Sequence, residues 1–186
     1  FFTNTGKAHK IKAYEIPEAT RTARGTPAIN FLNLLQRERI TAVIPVKEFS
    51  EDKYLIAITK NGLIKKTALN EFDTKRTTGL IAINLKDEDE LIAIKQSTGS
   101  NNIIIVTKKG KCISFSEKDV RPMGRIASGV RAIKLDKDDE VVSMELVEPE
   151  QQLMVVTENG FGKRTPVEEY KICLLYTSDA ADDLLC

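Results

Sequence analysis

A four-residue pattern, Thr-x-x-Gly, recurs at near-regular spacing along the chain: Thr3 with Gly6, Thr59 with Gly62, Thr107 with Gly110 and Thr157 with Gly160. The glycines lie 48 to 56 residues apart, the period of a propeller blade or a comparable supersecondary unit. A second glycine follows in three of the units, at Gly25, Gly79 and Gly129. Each precedes an Ala-Ile pair at a fixed offset: Ala28-Ile29, Ala82-Ile83 and Ala132-Ile133. A further apolar segment comes next, at 40–44, 91–94 and 141–144. One tetrapeptide match carries little information. Ordered sets at similar offsets commit the chain to stacked, similar units.

Each unit reads as strands. Leu55-Ile-Ala-Ile-Thr59, Ile103-Ile-Ile-Val-Thr107 and Leu153-Met-Val-Val-Thr157 are short, β-branched and bounded by turn residues. Asn61-Gly62 and Asn159-Gly160 predict type I′ hairpin turns, with Lys109-Gly110 a weaker version. A second strand follows each turn, the segments from Gly79 and Gly129 give a third, and those from Leu91 and Val141 a fourth. No segment keeps a 3.6-residue period. The expected class is therefore all-β: about three four-stranded antiparallel blades of a partial propeller, with units at 1–50, 51–100, 101–150 and a truncated 151–172. The first unit carries extra residues around 33–37. With no Trp in the chain, the Trp-Asp blade signature is excluded. Three blades do not close a propeller, so the remainder is expected in flanking sequence. Residues 173–186, CLLYTSDAADDLLC, resemble a translated sequencing adapter and are set aside as a non-native tail. That tail holds three aspartates and no Lys or Arg, so the rest of the chain is more basic than its formal +1.

Composition removes several function classes. The apolar runs at 55–58 and 103–106 are far too short to span a bilayer, and no basic-then-apolar leader stands at Phe1. Three cysteines without CxxC spacing suggest a reducing cytosol. His9 is the only histidine, so a His-based zinc site or Ser-His-Asp triad has no material. Cys112, between Lys111 and Ile113, reads as an inert strand cysteine. The acidic runs lack the ligand spacing of a calcium loop, and the glycines form no phosphate-binding fingerprint.

What remains is the placement of charge. Just past the hairpin glycines lie Lys7, Lys10 and Lys12; Lys65 and Lys66; Lys111; and Lys163 and Arg164. In the connections to the second glycine lie Arg21 and Arg24; Lys75 and Arg76; and Arg121 and Arg125, with Arg131 just beyond. The acids collect before the fourth strand, at 87–90 and 136–140. Equivalent positions in stacked units face the same way, so the cations are expected to form one basic edge and the acids a separate, solvated face. A curved cationic edge fits a polyphosphate, whose neutralisation releases counterions whatever the base sequence. No element looks like a base reader. The plainer alternative is that lysines beside turns keep edge strands soluble, and a protein-binding propeller is the corresponding functional alternative.

Four stretches carry a family likeness: Tyr14-Glu-Ile-Pro-Glu-Ala-Thr-Arg-Thr-Ala-Arg-Gly25, Ile40-Thr-Ala-Val-Ile-Pro-Val46, Asp119-Val-Arg-Pro-Met-Gly124 and Asn159-Gly-Phe-Gly-Lys-Arg-Thr165. Together they resemble the C-terminal domain of the DNA gyrase A subunit, over essentially all of 1–172. The resemblance implies a six-bladed β-pinwheel with strands exchanged between blades, and duplex DNA wrapped on its basic rim. It also implies ATP-dependent negative supercoiling by a holoenzyme with the B subunit and a second A subunit. ATP and Mg²⁺ would act elsewhere in that assembly, so no cofactor is expected here. The family's Gln-Arg-Arg-Gly-Gly-Lys-Gly box is not in the chain; residues 21–25 are a degenerate cousin of it. The family's cleavage tyrosine follows an arginine, whereas Tyr14, Tyr54, Tyr170 and Tyr176 follow Ala13, Lys53, Glu169 and Leu175, so no catalytic residue is expected. The related C-terminal domain of topoisomerase IV is the nearest alternative.

Overall fold

The computed structural model describes residues 1–86 and 88–173. Among them, regular structure consists of strands and five short 3-10 turns. The first unit supplies β1 (Phe2–Thr3), β2 (Lys7–Ala8) and β3 (Ile40–Ala42); the second, β4 (Tyr54–Thr59), β5 (Leu63–Ala68), β6 (Leu80–Ile81) and β7 (Leu91–Ser97). The third supplies β8 (Asn102–Thr107), β9 (Cys112–Ser116), β10 (Val130–Arg131) and β11 (Val141–Val147). The fourth begins with β12 (Gln152–Val156) and β13 (Gly162–Pro166).

Strands β4 and β8 are apolar on both faces because the sheets that hold them each lie between two cores. Side chains alternate across a strand, and in β4 Leu55 and Ala57 enter one cluster with Phe2, Leu69, Leu80 and Ala82. Ile56 and Ile58 enter another with Ile64, Ile103, Ile105 and Phe115. In β8 the same alternation sends Ile103 and Ile105 to that second core and Ile104 to a third, with Val147 and Val167. Burying each such side chain stabilises by roughly 1.5–3 kcal/mol.

The sheet orders are β3-β1-β2-β6, β10-β5-β4-β7, β11-β8-β9 and β12-β13. The third strand of a unit therefore leaves its own sheet and pairs with the hairpin of the unit before it. β6 joins β2 with Lys7 opposite Ile81 and Ala8 opposite Leu80; β10 joins β5 with Leu63 opposite Arg131 and Ile64 opposite Val130. The second and third units each contribute four strands, as expected, but one of the four joins the preceding blade, in agreement with the exchange implied by the family likeness.

The repeat signature is the lock that holds each exchanged strand. Ala82 N–H donates to the Gly6 carbonyl at 2.8 Å, and Ala132 N–H to that of Gly62 at 2.9 Å. A Cβ on Gly6 would lie 2.6 Å from the Ile83 oxygen, and one on Gly129 2.5 Å from the Ile64 oxygen. Gly6, Gly62 and Gly129 thus admit the backbone of the neighbouring unit, whereas Gly79 has only the Arg76 side chain near it.

The hairpin turns differ from the predicted type I′. In all four, the glycine N–H donates to the threonine carbonyl at 2.9–3.0 Å. Gly62 has φ +81°, while Asn61 is not among the residues of positive φ. Only the last loop residue is left-handed, as in a type I turn closed by a glycine bulge, which explains why Lys109-Gly110 serves as well as Asn-Gly. The threonine hydroxyl completes the turn: Thr59 Oγ1 accepts from Leu63 N–H, and Thr107 Oγ1 from Lys111 N–H, both at 3.1 Å.

The acids are not simply a solvated face. Asp89 Oδ1 accepts from the turn N–H of Asn61 and from Glu90 N–H, each at 2.9 Å; Asp139 does the same for Lys109 and Glu140 at 2.9 and 3.0 Å. Glu38 clasps the first turn by accepting from Thr3, Thr5 and Leu35 N–H. Burial by itself would raise the Glu38 pKa, but the bonds from Leu35, Thr3 and Thr5 and the nearby charge of Lys7 prevail and hold it at about 2. Asp87 lies outside the described residues.

Two segments depart from the repeat. Around Gly25 the chain forms a 3-10 turn, Ala28–Asn30, rather than a strand. Ile29 is 63% exposed where Ile83 is 2%, because no hairpin among the described residues receives it. At the other end, Cys173 N–H donates to the Ser114 carbonyl, as Met123 N–H does to that of Lys66. Residue 173 therefore still follows the repeat, one position past the expected boundary; residues 174–186 lie outside the described residues.

Candidate nucleic-acid interface

Exchange defines an outer edge. β3, β7 and β11 run side by side from blade to blade, tied by Leu91 N–H to the Asn4 carbonyl and Val141 N–H to that of Lys60, both at 2.9 Å. The exchanged strands β6 and β10 close the opposite side of their sheets. The connections delivering them, 73–79 and 121–129, run along that outer side. Within them the repeat aligns a cation four residues before each second glycine: Arg21, Lys75 and Arg125.

The connection cations are mostly open to solvent. Arg21, Arg24, Lys75, Arg76, Arg121 and Arg131 are exposed. Arg76 braces its own loop, Nε donating to the Thr78 carbonyl at 2.9 Å. Arg125 is half-buried, with its guanidinium donating to the carbonyls of Glu71 and Ile81, each at 3.1 Å. Arg131 stands on β10 itself.

The hairpin cations behave differently, and here the expectation from sequence needs correction. Lys65 has no exposed surface and Lys66 only 4%, so neither belongs to a solvent-facing track. Lys66 forms an ion pair with Glu117 at 2.9 Å and lies 4.5 Å above the Tyr54 ring. Lys65 Nζ donates to the Ala82 carbonyl at 2.7 Å and to that of Arg125. Desolvation, with a smaller push from Arg125 against the pull of Glu71, lowers its pKa to about 8. The physical reason is the exchange: β10 and the residues before it cover β5. Lys10 is likewise engaged inside the fold, donating to the Thr74 carbonyl at 2.6 Å and lying 5.3 Å from the Phe49 ring centre. Lys7 is half-buried on β2, and Lys111 pairs with Asp136 at 2.8 Å. Lys163 and Arg164 occupy the register of Lys65 and Lys66 in the fourth hairpin; they are exposed because nothing among the described residues covers β13 there.

His9, in the register position of Lys65, is 4% exposed and lies 3.8 Å from Glu38. Among the described residues no three His, Cys, Asp or Glu side chains gather as a metal site, and no helix is long and apolar enough to cross a membrane.

Comparison with known proteins decides the family. The model described as "DNA gyrase C-terminal domain, beta-propeller" matches residues 1–47, 53–97, 101–148 and 151–173, one segment per repeat. The chain belongs to this family. DNA gyrase A subunits of Staphylococcus epidermidis and Salmonella typhimurium are each 46% identical over 92% and 91% of the chain, and that of Escherichia coli 44% over 91%. The chain spans about a fifth of the length of these relatives. A solved DNA gyrase A C-terminal domain superposes with a TM-score of 0.76 at 30% identity, covering 91% of this chain and 54% of that one. A C-terminal domain of DNA topoisomerase IV superposes with a TM-score of 0.87 at 28% identity, covering 94% and 55%. Because strands are exchanged between units, a hairpin lysine is open or covered according to the unit beside it. A signal was available: Ile113 occupies the register of Lys65, and an apolar, half-buried residue there is unlike a solvent-facing cationic track.

Proposed function

We propose that this chain is part of a gyrase A subunit and holds duplex DNA along its outer edge without reading base sequence. The observation that carries this is the recurrence of exposed cations in the connections to the exchanged strands: Arg21 and Arg24, Lys75 and Arg76, and Arg121, with Arg131 on β10 beside them. Each phosphate neutralised releases counterions. Bending ~20–30 bp by 40–90° costs of order 1–6 kcal/mol, offset by contacts along the curve. A framework that already fixes the cations avoids the ordering cost of a flexible basic tail. In this reading the chain contributes binding and DNA geometry rather than chemistry. The breakage of DNA and the use of ATP and Mg²⁺ belong to the rest of an assembly with a B subunit and a second A subunit, in the bacterial cytoplasm on the chromosome.

The superposition on the topoisomerase IV domain favours a second reading, an A subunit of that enzyme. The 44–46% identity to gyrase A subunits favours gyrase. The test is topological. Relaxed, nicked plasmid is incubated with the chain and resealed by ligase, and the linking number is measured after protein removal. Wrapping shifts the distribution in proportion to bound protein; binding with an unshifted distribution would refute wrapping.

A further inference from the structure

Lys65 presents a buried ammonium that forms no ion pair among the described residues. Among the described residues its Nζ bonds to two backbone carbonyls, and these come from two different exchanged segments. Ala82 follows β6, which is docked on the first hairpin; Arg125 belongs to the connection leading into β10, which is docked on Lys65's own hairpin. The same two segments meet elsewhere: Arg125 Nη1 donates to the Ile81 carbonyl at 3.1 Å, and Asn84 N–H to that of Ala127 at 3.2 Å. Lys65 thus sits beneath the place where one stretch of the cationic edge joins the next.

An ammonium in such a slot is expensive, because burial removes its hydration and the nearest carboxylate influence, from Glu71, is not an ion pair. The sheet does not require it, since the third hairpin carries Ile113 in that register. A costly group that packing does not need has another use. We propose that Lys65 is a positioning residue for DNA binding: it touches no phosphate, and through the Ala82 and Arg125 carbonyls it fixes the relative placement of Arg76, Arg125 and Arg131 across the junction of two units. This rests on the rim reading above.

The test separates stability from binding. Lys65→Ile and, as a second apolar replacement closer to lysine in length, Lys65→Met are compared with the unaltered chain by thermal unfolding and by titration of a 40-bp random-sequence duplex over a range of salt. Arg76→Gln serves as the phosphate-contact control. The expected result is an unfolding midpoint equal to or above that of the parent, with affinity roughly tenfold weaker at fixed salt and an unchanged slope of log K against log salt. A purely structural lysine would instead lower midpoint and affinity together. Unchanged affinity in a folded variant, or a slope reduced by about 0.9, would overturn the proposal. If neither variant folds, the lysine is structural and the proposal also fails. If Arg76→Gln leaves both affinity and slope unchanged, the rim reading has failed instead.

Discussion

Two pairs of cations on the second unit, Lys65-Lys66 and Lys75-Arg76, lie only ten residues apart and have opposite fates. The first pair lies beneath the connection and exchanged strand of the third unit; the second rides on the equivalent connection of its own unit, which delivers β6 to the first hairpin. Lys66 neutralises Glu117, which also accepts from Ser97 Oγ and Asn101 N–H. Lys75 and Arg76 remain in solvent. Charge at a repeated sequence position therefore marks a shared surface only where no neighbouring unit covers it.

The largest effect expected from breaking this contrast is at Lys66. Lys66→Ala leaves a buried carboxylate without its cation and should destabilise by about 3–5 kcal/mol, measured by urea unfolding. A loss near that of an exposed pair would show that Glu117 is not dependent on it. Gly129→Ala tests the lock that covers Lys65 and Lys66: its φ of +94° and the 2.5 Å approach to the Ile64 oxygen predict a loss of about 2–4 kcal/mol. Gly110→Ala, with φ +86° and open space around it, should lose only about 1 kcal/mol. Equal losses at the two glycines would contradict strand exchange as the reason for Gly129.

Two further effects concern pH. Glu38 is held at about 2 against an ordinary 4.5, so the folded state binds fewer protons than the unfolded one between those values. Its contribution is full above about 4.5 and is lost as pH falls towards 2, of order 2–3 kcal/mol; Glu38→Gln should flatten the acid limb of stability against pH. Lys65 has the opposite chemistry and is lowered to about 8 from 10.5. The unfolded chain binds more protons between those values, so the penalty of burying the charge is full below about 8 and is relieved as pH rises towards 10.5. Lys65→Ile should remove that alkaline gain. The smallest effect on stability is at the exposed pair: Lys75→Gln with Arg76→Gln should move stability by no more than about 0.5 kcal/mol.

Much of the architecture was legible because its requirements are local. Thr-x-x-Gly is a turn in which a carbonyl and a hydroxyl accept the N–H groups around a left-handed glycine, and each part depends on neighbours within five residues. The pairing of β6 and β10 was not legible from strand count, since a two-residue strand carries no sign of which hairpin receives it. Burial of Lys65 was hidden for the same reason: its acceptor Arg125 is 60 residues away in the chain, and lysine normally signals solvent. The roles of Asp89 and Asp139 were not legible because acids beside turns are common, while their bonds to turn N–H groups depend on register between distant segments.

The most direct measurement is the salt dependence of duplex binding for a chain carrying Lys75→Gln, Arg76→Gln and Arg121→Gln, compared with the unaltered chain on the same random-sequence DNA. If these side chains face phosphate, the slope should become shallower by roughly 0.9 for each contact removed, with the fold intact by thermal unfolding. An unchanged slope in a folded protein would place the DNA, if it binds at all, on a different face.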